Sequence, residues 1–384
     1  MTSLRGAVST ALVLASGLAT ACGGSVSSSN AAGGSAGSAG NAGSGGQGAT
    51  GGYSASGGQA GTAGTAGAAG TGGSAGMGGA GGRTVIAVNE LFFGDTDPNG
   101  TLDPNAWRDI GENLDGLDST PQDTNHCMPV AGANPADVKT DGVGGIDNSF
   151  GENLLPLFTA LAADFSTTVN QSIADGSFTE LFRLDGLLDP AQAPNQNAIA
   201  ASLYGGAPKG SPALFNGTDV WPVTNVSVVN NDINAPKVTF PASYVKSGSW
   251  VSGNKAAFTL PVDVQGYELD LPITNARFRM RIAGVGTSAS ATAGTIAGII
   301  KTTALVDQYK QVAGSFDPSL CSGPTFDSIA HQVSAASDIM SDGTNGDPTR
   351  TCNAISIGIG FNGAAVRLGP VAPPVPAPPD PCAP

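Results

Sequence analysis

From Gly23 to Gly82 the chain carries no charged residue and is built almost wholly of Gly, Ala, Ser and Thr, with Val26, Tyr53 and Met77 scattered through it. Such a run holds too little apolar surface to offset the entropy of ordering it. Whatever folds must therefore be made from the residues that follow. As a coil, about 60 residues span roughly 45 Å root-mean-square, enough to clear a lipid headgroup layer. Glycine recurs at every third position from Gly34 to Gly46 and again from Gly58 to Gly82. A collagen-like stalk has that period but needs proline at about 15–20%, and this run has none, so the reading is a flexible tether.

Residues 84–369 are read as the globular region and 370–384 as a proline-rich tail. All 30 acidic residues and 14 of the 16 basic ones lie in 84–384, beyond a tether that spans residues 22–83, which leaves this part at −16. Nucleic acid and anionic lipid are disfavoured partners for such a surface. About 300 residues can bury a sizeable core. The strongest strand signals are Lys237–Phe240, Ala256–Val264, Ala276–Ile282 and Ala354–Phe361, and Val85–Phe93 also reads as a strand. In Arg277-Phe278-Arg279-Met280-Arg281-Ile282 the apolar residues face one side and the arginines the other, a solvated face or a partner for nearby acids. Ile355, Ile357, Ile359 and Phe361 alternate in the same way. Helical spacing joins Leu154, Leu157, Phe158, Leu161 and Phe165, and joins Phe326, Ile329, Ala330, Val333 and Met340; a short helix is expected near Thr303–Val312. The fold class expected is mainly β, with β-sandwich-like layered sheets and a few peripheral helices.

The amino terminus reads as an export signal, with Arg5 followed by an apolar stretch, Ala7 to Leu18, too short to span a bilayer. Ala19-Thr20-Ala21-Cys22 resembles the bacterial lipobox, with the leucine, Leu18, one place earlier than usual. The resemblance implies cleavage after residue 21 and lipidation of Cys22; ordinary signal cleavage after Ala19-Thr20-Ala21 is the alternative. Several acyl chains on one cysteine hold a protein firmly to a membrane. Gly23 lacks the Asp associated with inner-membrane retention in enteric bacteria, so the expected address is the outer membrane, on its periplasmic or surface face.

Four cysteines remain, Cys127, Cys321, Cys352 and Cys382, an even number that in an exported chain suggests two disulfides. Three pairings are possible. Cys321 with Cys352 is favoured, closing a loop that would contribute about 3–4 kcal/mol in the chain-entropy model, which leaves Cys127 for Cys382 to pin the proline-rich tail.

The most concrete chemical pattern is Asp95-Thr96-Asp97-Pro98-Asn99-Gly100-Thr101-Leu102-Asp103, which resembles the first nine positions of an EF-hand-type calcium loop. Asp95, Asp97, Asn99, the Thr101 carbonyl and Asp103 would be the oxygen ligands. Position 12 should be Glu and is Ala106, so an ion would need a further ligand such as Asp109 or Glu112. The competing reading is an Asp-rich turn into a short helix capped by Asp103. Between Asn89 and Glu152 lie 13 acidic and 2 basic residues, a repulsion that bound cations would relieve. Asp141–Asn148 looks like a calcium loop that has lost most of its acids and is assigned no metal.

Other motif matches fail on context. Gly358-Ile359-Gly360-Phe361-Asn362-Gly363 fits a dinucleotide fingerprint but leads to the proline tail rather than a helix. Gly33-Gly34-Ser35-Ala36-Gly37 fits a hydrolase elbow but lies in the tether. His126 and His331 are the two histidines, too few for a histidine-rich zinc site. No catalytic residue is assigned.

Over its whole length the layout resembles predicted lipoproteins of myxobacteria, through Trp107, Asn113-Leu114-Asp115-Gly116, Gly145-Ile146-Asp147-Asn148 and Cys352-Asn353-Ala354-Ile355-Ser356-Ile357-Gly358 as well as the anchor and tether. The resemblance implies address and architecture and no activity. The expectation is an envelope or surface lipoprotein acting as a non-catalytic binding or structural module. It would be calcium-stabilised and directed at a glycan or another envelope protein. A glycan hydrolase using a carboxylate pair is the alternative.

Overall fold

In chain order the strands are β1 (Gly81–Phe92), β2 (Thr179–Gly186), β3 (Gln196–Gly206), β4 (Val220–Val223), β5 (Val228–Val229), β6 (Asp232–Pro236), β7 (Val238–Lys246), β8 (Ser249–Val251), β9 (Ala256–Val264), β10 (Tyr267–Ala283), β11 (Ser290–Lys301), β12 (Ala354–Ala365) and β13 (Arg367–Val371). The helices are α1 (Leu155–Leu161), α2 (Phe165–Ala174), α3 (Thr302–Phe316) and α4 (Pro324–Ala335). The structure, a computed structural model, describes residues 81–97, 100–130, 138–161, 164–264, 267–376 and 379–383. Cys22, the signal segment and the tether lie outside the described residues, as does Asn99.

The protein is mainly β with few helices, as expected. The ladder runs β13-β4-β3-β2-β1-β12-β11-β10-β8-β7, and β3 also pairs with β7. That last pairing joins the stretch from β3 to β7 into a closed, antiparallel ring of eight strands. The facing layers are thus opposite walls of one sheet. Alternation fills the interior: Phe182, Phe240, Trp250, Phe278 and Phe361 are all at most 1% exposed. Phe182 stacks on Phe361 at 5.6 Å and meets Phe278 edge-on at 5.5 Å. Burying one such ring fully contributes about 1.5–3 kcal/mol, so the aromatic centre is a main source of stability.

All four helices sit in the β1–β2 and β11–β12 connections, at one end of the barrel. Leu154 ends a π-helical turn (Phe150–Leu154), so the expected single stripe is shared between that turn, α1 and α2. Phe93, Phe158, Phe165 and Tyr309 form an aromatic chain there, with centroids 4.9–5.2 Å apart. The first half of β10 runs on with β9 as a hairpin that adds Leu260, Val262, Leu269 and Leu271 to the same core. Val333 of α4 is buried and His331 exposed, as the amphipathic pattern requires, whereas Met340 lies beyond the helix.

The disulfides are Cys127–Cys352 and Cys321–Cys382, with Cα atoms 5.2 and 5.4 Å apart. The favoured pairing of Cys321 with Cys352, and so of Cys127 with Cys382, is incorrect. Loop length does not choose the partner; α4 carries the chain away from Cys321 before Cys352. A parallel bridge of Met128 with Thr351 then sets Cys127 beside Cys352. Cys382 does pin the tail, against α3, where Gly314 makes room: a Cβ there would lie 2.4 Å from the Cys382 sulfur and 2.6 Å from that of Cys321. Two disulfides belong to an oxidising compartment, as expected of an exported chain. No helix of the described residues is long and apolar enough to cross a membrane.

Candidate functional site

β1 stops at Phe92, opposite Gly360, while β12 continues back to Ala354. Ala354 is bridged to Ile339, but from 355 to 359 that edge of β12 lacks a ladder partner, and its N–H groups need other acceptors. Side chains supply them. Asp338 accepts from the Ser356 N–H at 2.8 Å and from its hydroxyl at 2.5 Å, and Asn148 Oδ1 accepts from the Gly358 N–H at 2.9 Å. Asn148 is 2% exposed and uses all its capacity: its Oδ1 also accepts from the Gly151 N–H at 3.0 Å. Its Nδ2 donates to the carbonyls of Ile110 at 2.9 Å and Trp107 at 3.3 Å.

These bonds hold the acidic segment as an overlay on the outer face of β12 and β11. Leu114 packs on Ala297, Ile299, Ile339 and Ala354, all on the side away from the barrel interior. The approach is close because the contact positions on both sides are glycines. A Cβ at Gly358 would lie 2.2 Å from the Ile110 carbonyl oxygen and 2.8 Å from Gly111 Cα. That accounts for Gly358, while Gly360 lies against Phe92 and Gly363 against Ile86 of β1, so the glycine spacing of 358–363 reflects close packing. From the barrel side, Arg277 donates to the carbonyls of Asn113 at 3.2 Å and Leu114 at 3.3 Å and lies 3.8 Å from Glu112. Arg279 and Arg281 are exposed. The arginine stripe is thus a solvated face with one residue turned to the acids.

Under the overlay, acids gather without bases. Asp147 is 1% exposed, and its Oδ2 accepts from the Leu114 N–H at 2.6 Å. Asp141 Oδ2 accepts from the Ser119 N–H at 2.5 Å. Burial, then the charges of Asp115, Asp338 and Asp141, push Asp147 up to about 9. Burial also pushes Asp338 up to about 7, against the bonds from Ser356, and Asp141 up to about 6 with Asp115 and Asp118 adding to the rise. The ion pairs among the described residues join Arg83 and Arg183 to Asp185, Lys209 to Asp219, Arg277 to Glu112 and Arg350 to Asp342, and none reaches this group. The chemistry available is proton retention or cation binding. Residues 113–116, 145–148 and 352–358, which the sequence marks separately, meet here.

Residues 95–97 and 101–103 pair with each other as two arms of a hairpin. Thr96 bridges Leu102, and the Asp97 N–H donates to the Thr101 carbonyl at 2.8 Å. Asp97 Oδ1 accepts from the Thr101 N–H at 2.8 Å, and Asp103 Oδ1 accepts from the Asn105 N–H at 2.9 Å, just before the short 3-10 helix Ala106–Asp109. Asp95 Oδ2 accepts from the Ser166 hydroxyl at 2.6 Å, while its Oδ1 is buried without a hydrogen-bond partner. Asn99 is outside the described residues, so four of the five expected ligands are placed, all on this hairpin. Asp141 and Asp147 fall in the segment 141–148, to which the sequence assigns no metal, and Asp338 carries no sequence signal, because nothing local indicates that residues so far apart will meet.

Searches against protein-family models, curated proteins and solved structures find no match for this chain.

Proposed function

We propose that this chain is an exported envelope lipoprotein, held through Cys22 on the outer membrane, whose barrel serves as a non-catalytic binding or structural module. The observation that supports it is the filled interior: rings from Phe182, Phe240, Trp250, Phe278 and Phe361 occupy the barrel centre, which leaves recognition to the outer surface. That surface suits an uncharged or cationic partner, such as a glycan or a basic patch on an envelope protein. The carboxylate-pair hydrolase is the weaker reading, because Asp147 and Asp338 hold backbone N–H groups beneath a covering segment rather than lining a cleft. Calcium at the Asp95 hairpin belongs to the same proposal and is supported by the buried, unpartnered Asp95 Oδ1.

Fractionation of bacterial cells expressing the full chain tests the anchor. The wild type should stay with membranes until detergent is added and Cys22→Ser should move to the soluble fraction. A soluble wild type, or a membrane-bound Cys22→Ser, would overturn the reading.

A further inference from the structure

We propose that a divalent cation, with calcium the fitting ion, binds beneath the overlay between Asp115, Ser119 and Asp141. This site is separate from the Asp95 hairpin and does not depend on the lipid anchor.

Ser119 is 3% exposed, and its hydroxyl lies beside the Asp141 carboxylate without forming a hydrogen bond of good geometry. Its backbone is tied to Asp141 in both directions: the Ser119 N–H donates to Asp141 Oδ2 at 2.5 Å, and the Asp141 N–H donates to the Ser119 carbonyl at 3.1 Å. That pairing holds the hydroxyl beside the Asp141 carboxylate. Asp115 contributes a second open oxygen. Its Oδ1 accepts from the Leu117 N–H at 2.8 Å, whereas its Oδ2 is buried with no partner. Buried polar atoms are paired as a rule, and two open oxygens in one acidic neighbourhood call for a ligand that accepts electron pairs. No ion pair among the described residues supplies one.

The setting suits a hard cation. The turn at 113–117 abuts the one at 142–145, where a Cβ on Gly145 would lie 2.3 Å from the Leu117 carbonyl oxygen. The two acids are thus brought together from 26 positions apart in the sequence. Calcium takes carboxylate, hydroxyl and carbonyl oxygens and completes its shell with water. Among the described residues no three acidic, His or Cys side chains form a metal-binding group, so the site proposed has two carboxylates, with Ser119 and water filling the rest. A bound cation would fasten the 113–119 turn to the 141–147 turn and steady the overlay on β12.

The test uses the full chain stripped with EGTA, then titrated with calcium chloride in a calorimeter and melted with and without it. Saturating calcium should raise Tm by about 5 °C at a hundredfold excess over Kd. In the Asp95→Asn chain, which lacks the hairpin ligand, both signals should persist, and adding Asp115→Asn with Asp141→Asn should abolish them. Ser119→Ala should weaken calcium binding at least about tenfold with no loss of Tm in EGTA, and it decides the matter if the double variant fails to fold. Absence of binding at millimolar calcium would overturn the site. So would undiminished affinity in Ser119→Ala, or loss of binding in Asp95→Asn alone.

Discussion

Replacing Asp147 by Asn isolates the largest electrostatic cost in the overlay. The carboxyl is 1% exposed, accepts from the Leu114 N–H and is pushed up to about 9, against 3.8 for a free side chain. Its proton is held in the folded protein and released in the unfolded chain over that whole interval. Stability therefore falls as pH rises from about 4 to about 9, by at most about 1.4 kcal/mol per pH unit, and is flat beyond either end. From 3.8 to neutral pH the interval is about three units, a ceiling of roughly 4 kcal/mol. Relaxation of the neighbouring acids brings the expected gain for Asp147→Asn at pH 7 to about 2–4 kcal/mol. Asn keeps an acceptor for Leu114 and never ionises. Urea and thermal unfolding in EGTA should show wild type and variant nearly equal at pH 4, with the variant ahead by about 5–10 °C at pH 7 and further ahead at pH 9. A variant no more stable at pH 8 than the wild type, or one ahead by the same margin at pH 4, would refute the reasoning.

Gly358→Ala should cost about 2–4 kcal/mol in urea unfolding, since its Cβ would meet backbone atoms of Ile110 and Gly111 that cannot yield without lifting the overlay. Arg277→Ala should cost about 1–2 kcal/mol through its bonds to Asn113 and Leu114, whereas Arg279→Ala and Arg281→Ala should stay within about 0.5 kcal/mol. Equal losses at all three arginines would mean that the stripe acts as a unit.

The strands legible in the sequence are those with one buried face or a bounded apolar run. β9 matches its expected limits, and the alternating half of β10 sends Phe278, Met280 and Ile282 inward. β11 is not legible because both its faces are covered along Gly294–Ile300, so small and large apolar residues run together and the period of two disappears. Closure was not legible either. It rests on the β3–β7 pairing, whose residues are some 40 positions apart and give no local sign of each other. In the overlay, the sequence correctly marks a concentration of acids but offers a calcium loop as its local explanation. The structure spends several of those oxygens on backbone N–H groups, at Leu114, Leu117, Ser119 and within the Asp95 hairpin. Such bonds join residues up to 22–33 positions apart, beyond the reach of spacing rules.

Ring closure also bears on how such a protein behaves when many copies crowd together. An open ladder of eight strands would offer two raw edges on which another chain could continue the sheet, the usual start of aggregation. Joining β3 to β7 removes them. The strands left with one partner are β13 at the end of the ladder, β9 beside β10 and the small β5–β6 pair. β13 carries Pro370, β9 Pro261 and β6 Pro236, each lacking the donor that a templating strand would need. β5 is two residues long. A barrel finished in this way can stand among dense neighbours without zipping to them.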